Sequence, residues 1–126
     1  GFYDYPNGMP KKLWPGLAEK YGSNLDYLDK ETVGKRIMHR QAIEAFRCLE
    51  EGVLKSVVDG DLGSVLGWGF PIFTGGALSY IDFVGMQKFV AECDDFANRF
   101  GERFSVPSGL RALSEAGKSI HDYKIN

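Results

Sequence analysis

The side chains best suited to proton or group transfer in this 126-residue chain are His39 and His121, its only two histidines, together with the thiols of Cys48 and Cys93. A hydrolase of the usual kind needs a nucleophile held by a base, and that base held by an acid. His39 stands among Arg36, Arg40 and Arg47 on the polar side of a helical stretch and reads as a solvated surface residue. His121 falls in a polar C-terminal tail, where order is least expected. Neither has a serine or cysteine fixed beside it by local spacing. The two cysteines lie far apart, without metal-type spacing, on helical patterns. They read as buried free thiols, with a bridge in an oxidising compartment as the alternative.

Two other groupings invite a chemical reading. Gly67-Trp68-Gly69-Phe70-Pro71-Ile72-Phe73-Thr74-Gly75-Gly76 opens like a phosphate-cradling fingerprint. That fingerprint requires a third glycine where Ile72 stands, and a strand before it. The lysine and hydroxyl of a P-loop are absent as well. Asp59, Asp61, Asp94 and Asp95 lack the alternating oxygen-ligand spacing of a calcium loop, and Asp61 reads as a helix cap. The residues taken alone therefore present no complete active site.

The elements that would position these groups are helical. Met38, Ala42, Ala45, Phe46, Leu49 and Val53 recur as one face of an α-helix, with Thr32 or Asp29 to cap its start and Gly52 to end it. Arg40 and Glu44 stand one turn apart on its outside. Asp59-Gly60-Asp61 reads as a turn and cap before a short helix over Leu62–Leu66. The glycine-rich stretch after it reads as a tight loop running close against neighbouring backbone, with Trp68, Phe70 and Phe73 as packing anchors. Leu78, Ile81 and Asp82 open a further helix interrupted by Gly85. Phe89, Val90, Cys93, Phe96, Ala97 and Phe100 then continue a helical stripe to Gly101. Pro107 and Ser108 start a last helix carrying Leu110 and Leu113. Strand signals are almost absent. The fold class is all-α: a compact multi-helix domain over residues 32–126, preceded by an irregular arm over residues 1–31. The arm is rich in turn-formers, with Trp14, Leu17, Leu25, Tyr27 and Leu28 as scattered apolar anchors and a short helix near Leu17–Tyr21 behind Pro15.

Composition narrows the function classes. Fifteen basic against seventeen acidic residues give a formal net charge of −2. The basic stripe that a nucleic-acid binder shows is missing. No apolar run approaches the roughly 20 residues of a membrane span. Hydrophobic content of 44% and charged content of 25% are those of an ordinary globular domain. The residues alone describe a helical packing or association module.

A resemblance carries the reading further. Glu44-Ala45-Phe46-Arg47-Cys48-Leu49-Glu50-Glu51-Gly52-Val53 is followed by Asp59-Gly60-Asp61-Leu62-Gly63 and Gly67-Trp68-Gly69-Phe70-Pro71. Next comes Gly75-Gly76-Ala77-Leu78-Ser79-Tyr80-Ile81-Asp82-Phe83-Val84-Gly85, and the series closes on Gly101-Glu102-Arg103-Phe104 and Pro107. This ordered series resembles the C-terminal helical domain of 3-hydroxyacyl-CoA dehydrogenases. The second copy of that domain in multifunctional α-subunits of fatty-acid oxidation complexes is the nearest form. Gly1-Phe2-Tyr3-Asp4-Tyr5 is similar to the motif joining the two copies.

The resemblance implies a parent oxidoreductase of lipid metabolism that oxidises 3-hydroxyacyl-CoA with NAD in β-oxidation. Its Rossmann domain, with the NAD site and the catalytic histidine and glutamate, is not among these residues. It also implies that an active-site asparagine of the first copy is matched here by Lys35, in Lys35-Arg36-Ile37-Met38. An ammonium has donors only and cannot replace an amide's donor and acceptor pair. No catalytic, cofactor or metal residue is therefore expected in this chain, and the isolated chain is expected to be inactive. Expected partners are the first helical copy and the Rossmann domain of the parent, with a homodimer when the chain stands alone. Gly67, Trp68, Gly69, Phe70, Pro71, Phe73, Gly75 and Gly76 are the candidate interface residues, since glycine-rich apolar surface lets backbones approach closely. A bacterial cytoplasm is the expected compartment, with mitochondrion and peroxisome as alternatives. The competing reading is a free-standing helical module that binds acyl-CoA or a protein partner without catalysis.

Overall fold

A computed structural model of the chain describes residues 1–22 and 29–125. Leu25, Tyr27 and Leu28 of the expected arm lie outside the described residues. Contacts divide the chain into two units, Gly1–Lys30 and Glu31–Asn126.

The first unit contains a minimal antiparallel hairpin, β1 (Tyr3–Asp4) and β2 (Lys12–Leu13), in the register Tyr3↔Leu13 and Asp4↔Lys12. This two-residue pairing and the short helix after it are the regular structure of the arm among the described residues. Two residues per strand are too few to show alternation, so the pairing rests on the turn between them: Met9 N–H bonds the Pro6 carbonyl, and Gly8 takes φ +73°. Helix α1 (Gly16–Tyr21) follows Pro15, whose φ of −58° already suits a helical turn. A Cβ on Gly16 would lie 2.3 Å from the exposed Trp14 ring, which would have to swing aside. No described residue of this unit is buried.

The second unit is all-helical among the described residues. It comprises α2 (Lys30–Glu50), α3 (Val57–Trp68), α4 (Ser79–Val84), α5 (Met86–Phe100) and α6 (Ser108–Glu115). Three 3-10 turns, at Ile72–Thr74, Glu102–Phe104 and Ile120–Asp122, complete it. The core is built from Ala42, Ile43, Phe46 and Leu49 of α2 and from Phe89, Val90, Cys93 and Phe96 of α5, closed by Leu110, Leu113 and Ile120. Met38 and Ala45 are only partly buried, and Val53 is exposed. The inward face of α2 thus runs His39, Ala42, Ile43, Phe46, Leu49, rotated from the predicted stripe.

His39 is therefore not a solvated residue but a fully buried one. Its charged sequence neighbours mislead because successive helical residues point about 100° apart, and position 39 shares its face with 42, 43 and 46. Two further corrections concern ends. Helix α3 begins at Val57 behind Ser56, whose side chain accepts the Asp59 N–H at 3.0 Å, so Asp59-Gly60-Asp61 lies inside the helix. The C-terminal tail is anchored. Ser119 and Asp122 form a reciprocal capping box, Ile120 is buried, and Asp82 accepts from Ser119 Oγ at 2.5 Å and from the Ile120 N–H at 3.1 Å.

Candidate functional site

The glycine-rich stretch decides which side chains face outward. Gly69 ends α3 in the left-handed region at φ +75°, a conformation that costs glycine little. The Phe70 N–H reaches back to the Ser64 carbonyl at 3.0 Å, and this reversal drops Phe70 into the core against Tyr80, their rings 5.9 Å apart. Trp68, one residue earlier, stays outside and donates its indole N–H to Gln41 Oε1 at 3.0 Å. Pro71 leads into the turn at Ile72–Thr74, which leaves Ile72 and Phe73 outside while Thr74 is buried. Of the three expected packing anchors, Phe70 alone packs inward. Phe73 is 74% exposed and meets the exposed Phe83 edge-on at 5.7 Å.

Gly76 makes the close backbone approach that the stretch predicts. A Cβ there would lie 2.6 Å from the Asp61 Cα. Gly75, at φ +90°, faces Ser79. Gly67 and Gly69 meet nothing within 4 Å and border open space. With the backbones pressed together, Asp61 Oδ1 accepts the N–H groups of Leu78 and Ser79 at 2.8 and 3.0 Å, and Oδ2 accepts Ser79 Oγ at 2.6 Å. Ser64 Oγ donates to the Asp61 carbonyl and accepts the Ala77 N–H. Asp61 is a helix cap, as its sequence position suggests, but the helix it caps is α4, packed beside its own. The N–H groups of Leu78 and Ser79 that follow this loop are thus taken by that carboxylate.

Helix α3 turns small and polar residues inward and apolar ones outward. Val57, Gly60, Asp61 and Ser64 face the core. Val58, Leu62 and Leu66, spaced i, i+4, i+8, form an outward stripe, with Leu66 81% exposed. Beside it, an apolar cleft of about 450 Å³ opens between α2 and α3, walled by Ala45, Cys48, Leu54 and Trp68 and floored by Gly60 and Gly63. Contiguous exposed apolar surface of this kind is a mark of interaction sites.

A second constellation lies under the surface. Glu92 receives the Lys35 ammonium on Oε1 at 2.9 Å and the His39 Nε2–H on Oε2 at 2.9 Å. A carboxylate only accepts, so His39 carries its proton on Nε2, and Nδ1 accepts the Tyr80 hydroxyl at 3.2 Å. The imidazole stacks on Phe89 at 4.5 Å. Burial pushes it below its ordinary 6.5, against the pull of Glu92. Burial also pushes the Glu92 carboxyl up, but the hydrogen bond and charge of Lys35, with His39, outweigh it and hold the group low. Burial, with Glu92 adding, pushes the Tyr80 phenol up to about 12. His39 itself is out of contact with solvent, Glu92 is partly exposed, and with Tyr80 the pair ties α2, α4 and α5 together. Sequence spacing could not join residues 39, 80 and 92. A signal that could have found His39 was its place one turn before Ile43.

The remaining candidates sit at separate places in the fold. His121 Nε2 lies 3.2 Å from Ser79 Oγ. Asp94 pairs with Arg111 at 2.7 Å and Asp95 with Arg99 at 2.9 Å. Cys48 and Cys93 are free, and burial, with nearby Asp94 and Glu92, pushes the Cys93 thiol up to about 12, which leaves it unreactive. Among the described residues, no cluster of three His, Cys, Asp or Glu side chains is arranged to hold a metal, and no helix is long and apolar enough to cross a membrane.

Fold and surface together define an all-α domain with a closed core and an exposed apolar stripe on α3. No family model matches the chain. It is 35% identical to the fatty acid oxidation complex subunit alpha of Colwellia psychrerythraea over 127 residues, covering 94% of the chain and 17% of that protein. The subunits alpha of Vibrio campbellii and Shewanella frigidimarina are 38% and 36% identical, covering 97% and 96% of the chain. The chain belongs to the family of fatty acid oxidation complex α subunits, and it spans 17 to 18% of the length of these curated relatives.

Proposed function

We propose that the chain is the second, non-catalytic helical repeat, in the C-terminal part, of an NAD-dependent 3-hydroxyacyl-CoA dehydrogenase of β-oxidation. In the parent enzyme a hydride passes from the 3-hydroxyl carbon to NAD, leaving a 3-ketoacyl-CoA. The role of this repeat is to brace the first helical copy and the Rossmann domain and to shape the cleft between them. The observation that carries the reading is the outward apolar stripe of α3, Val58, Leu62 and Leu66, which no described residue covers. Lys35 adds support. It stands where the active first copy would carry an amide, and it is committed to Glu92 and Glu31. A bacterial cytoplasm fits the bacterial relatives.

Two measurements test this. The purified chain, given 3-hydroxyacyl-CoA and NAD, is expected to form no NADH; turnover would move the chemistry into these residues and end the proposal. In sedimentation equilibrium at tens of micromolar the isolated chain is expected to form a two-fold dimer through the exposed face. A clean monomer would count against a packing role.

A further inference from the structure

We propose that the N-terminus of α5, together with Lys88, Ser114 and Lys118, is a binding site for phosphate groups. Helix α5 starts abruptly. Gly85 takes φ +97° and turns its own N–H back to the carbonyls of Ile81 and Asp82, and no side chain caps the helix. Phe89 is the first residue whose N–H bonds a carbonyl of this turn, that of Gly85 at 2.8 Å. The N–H groups of Met86, Gln87 and Lys88 have no acceptor among the described residues. A first turn in this state favours an acidic residue. Here it holds none and carries the exposed Lys88 instead, a cation at the positive end of the helix.

A hollow of about 410 Å³ lies against this turn, closed on its other side by the end of α6. Gly117, at φ +64°, reverses the chain there and places Lys118 on the rim. Ser114 lines the hollow although only 9% of it is exposed, and its hydroxyl has no partner among the described residues. No carboxylate lines the space. Asp82, three residues before Gly85, is engaged by Ser119 Oγ and the Ile120 N–H. Three free backbone donors, a sheltered hydroxyl and two ammonium groups thus border one space without a single acceptor of negative charge. Phosphate oxygens satisfy all of them at once: backbone N–H groups at a helix N-terminus bind them directionally, and lysines add point charges. The site is separate from the outer face of α3 and does not depend on the packing role proposed above. Its phosphate could come from the diphosphate of a nucleotide such as coenzyme A or from a free phosphate compound.

Amide NMR of the 126-residue chain, titrated with inorganic pyrophosphate and separately with coenzyme A at low salt, tests the proposal. Saturable shifts are expected at Met86, Gln87, Lys88, Ser114 and Lys118. Lys88→Gln and Lys118→Gln, both at exposed positions, are each expected to weaken binding about tenfold with unchanged melting. Ser114→Ala is expected to weaken it about threefold. Equal affinity for the two probes assigns the site to phosphate of any source, and tighter binding of coenzyme A at the same amides assigns it to the nucleotide tail. The proposal is overturned if nothing saturates, if shifts scatter over other lysines such as Lys12 and Lys55, or if the two lysine variants bind as the parent does.

Discussion

Helices α3 and α5 are built on opposite plans. α5 buries Met86, Phe89, Val90, Cys93 and Phe96 along one stripe and turns Gln87, Lys88, Asp95, Asn98 and Arg99 away from it. Its amphipathicity is complete, so the helix asks nothing of a neighbour beyond its own chain. α3 buries a smaller set of side chains, two of them the polar Asp61 and Ser64, and shows valine and leucines outward. Core packing in this fold is concentrated around α5, and exposed apolar surface around α3. The two properties are separable because different residues carry them.

Phe89→Ala strikes the first region where it is densest. Phe89 is fully buried against His39 and Tyr80, and its truncation is expected to cost about 3–5 kcal/mol in chemical denaturation. A loss under about 1 kcal/mol would show that α5 is not the keystone. Asp61→Ala tests the polar, inner side of α3. It strands the Leu78 and Ser79 N–H groups and is expected to cost about 2–3 kcal/mol, with the α4 amides losing hydrogen-exchange protection before the rest.

Acidification reads out the buried network. His39 is held below 6.5 in the fold, so below that pH the unfolded chain binds a proton that the native state refuses. Stability is then expected to fall as pH drops from 6.5 towards the folded value, by at most about 1.4 kcal/mol per pH unit, and to be flat above. Glu92, held low, adds a loss only at still lower pH, as its carboxylate is protonated. His39→Gln should remove the slope just below 6.5. A slope that survives in that variant would assign the titration elsewhere.

The smallest effect on folding is the sharpest test of the contrast. Leu62→Lys and Leu66→Lys sit on the outward stripe and are expected to shift the stability of the monomer by no more than about 0.5 kcal/mol. The same changes should abolish self-association in sedimentation. If instead they unfold the chain and leave the dimer intact, the outer face of α3 is not where the partner binds.

Much of the helical frame was legible in the chain. The apolar spacing over residues 89–100 marks α5, and Gly52, Gly85, Gly101 and Gly117, each with positive φ, follow or divide helices where their position suggests. The start of α3 was misread because Ser56 is an effective cap but an inconspicuous one, and the aspartates after it look like a turn. His39 was misread because its sequence neighbours are charged. Lys35, Tyr80 and Glu92 gave no hint that they meet, since they come from three helices.

Periodicity, glycine placement and the ordered motif series settle the helical class and the family from the chain alone, because each is a local relation along the backbone. Only the folded chain decides that Asp61 caps the helix beside its own, that Trp68 and Phe73 point out while Phe70 points in, and that a histidine flanked by arginines is buried. Those outcomes depend on which surfaces the helices press together, and packing between segments far apart in sequence leaves no periodic trace within either of them.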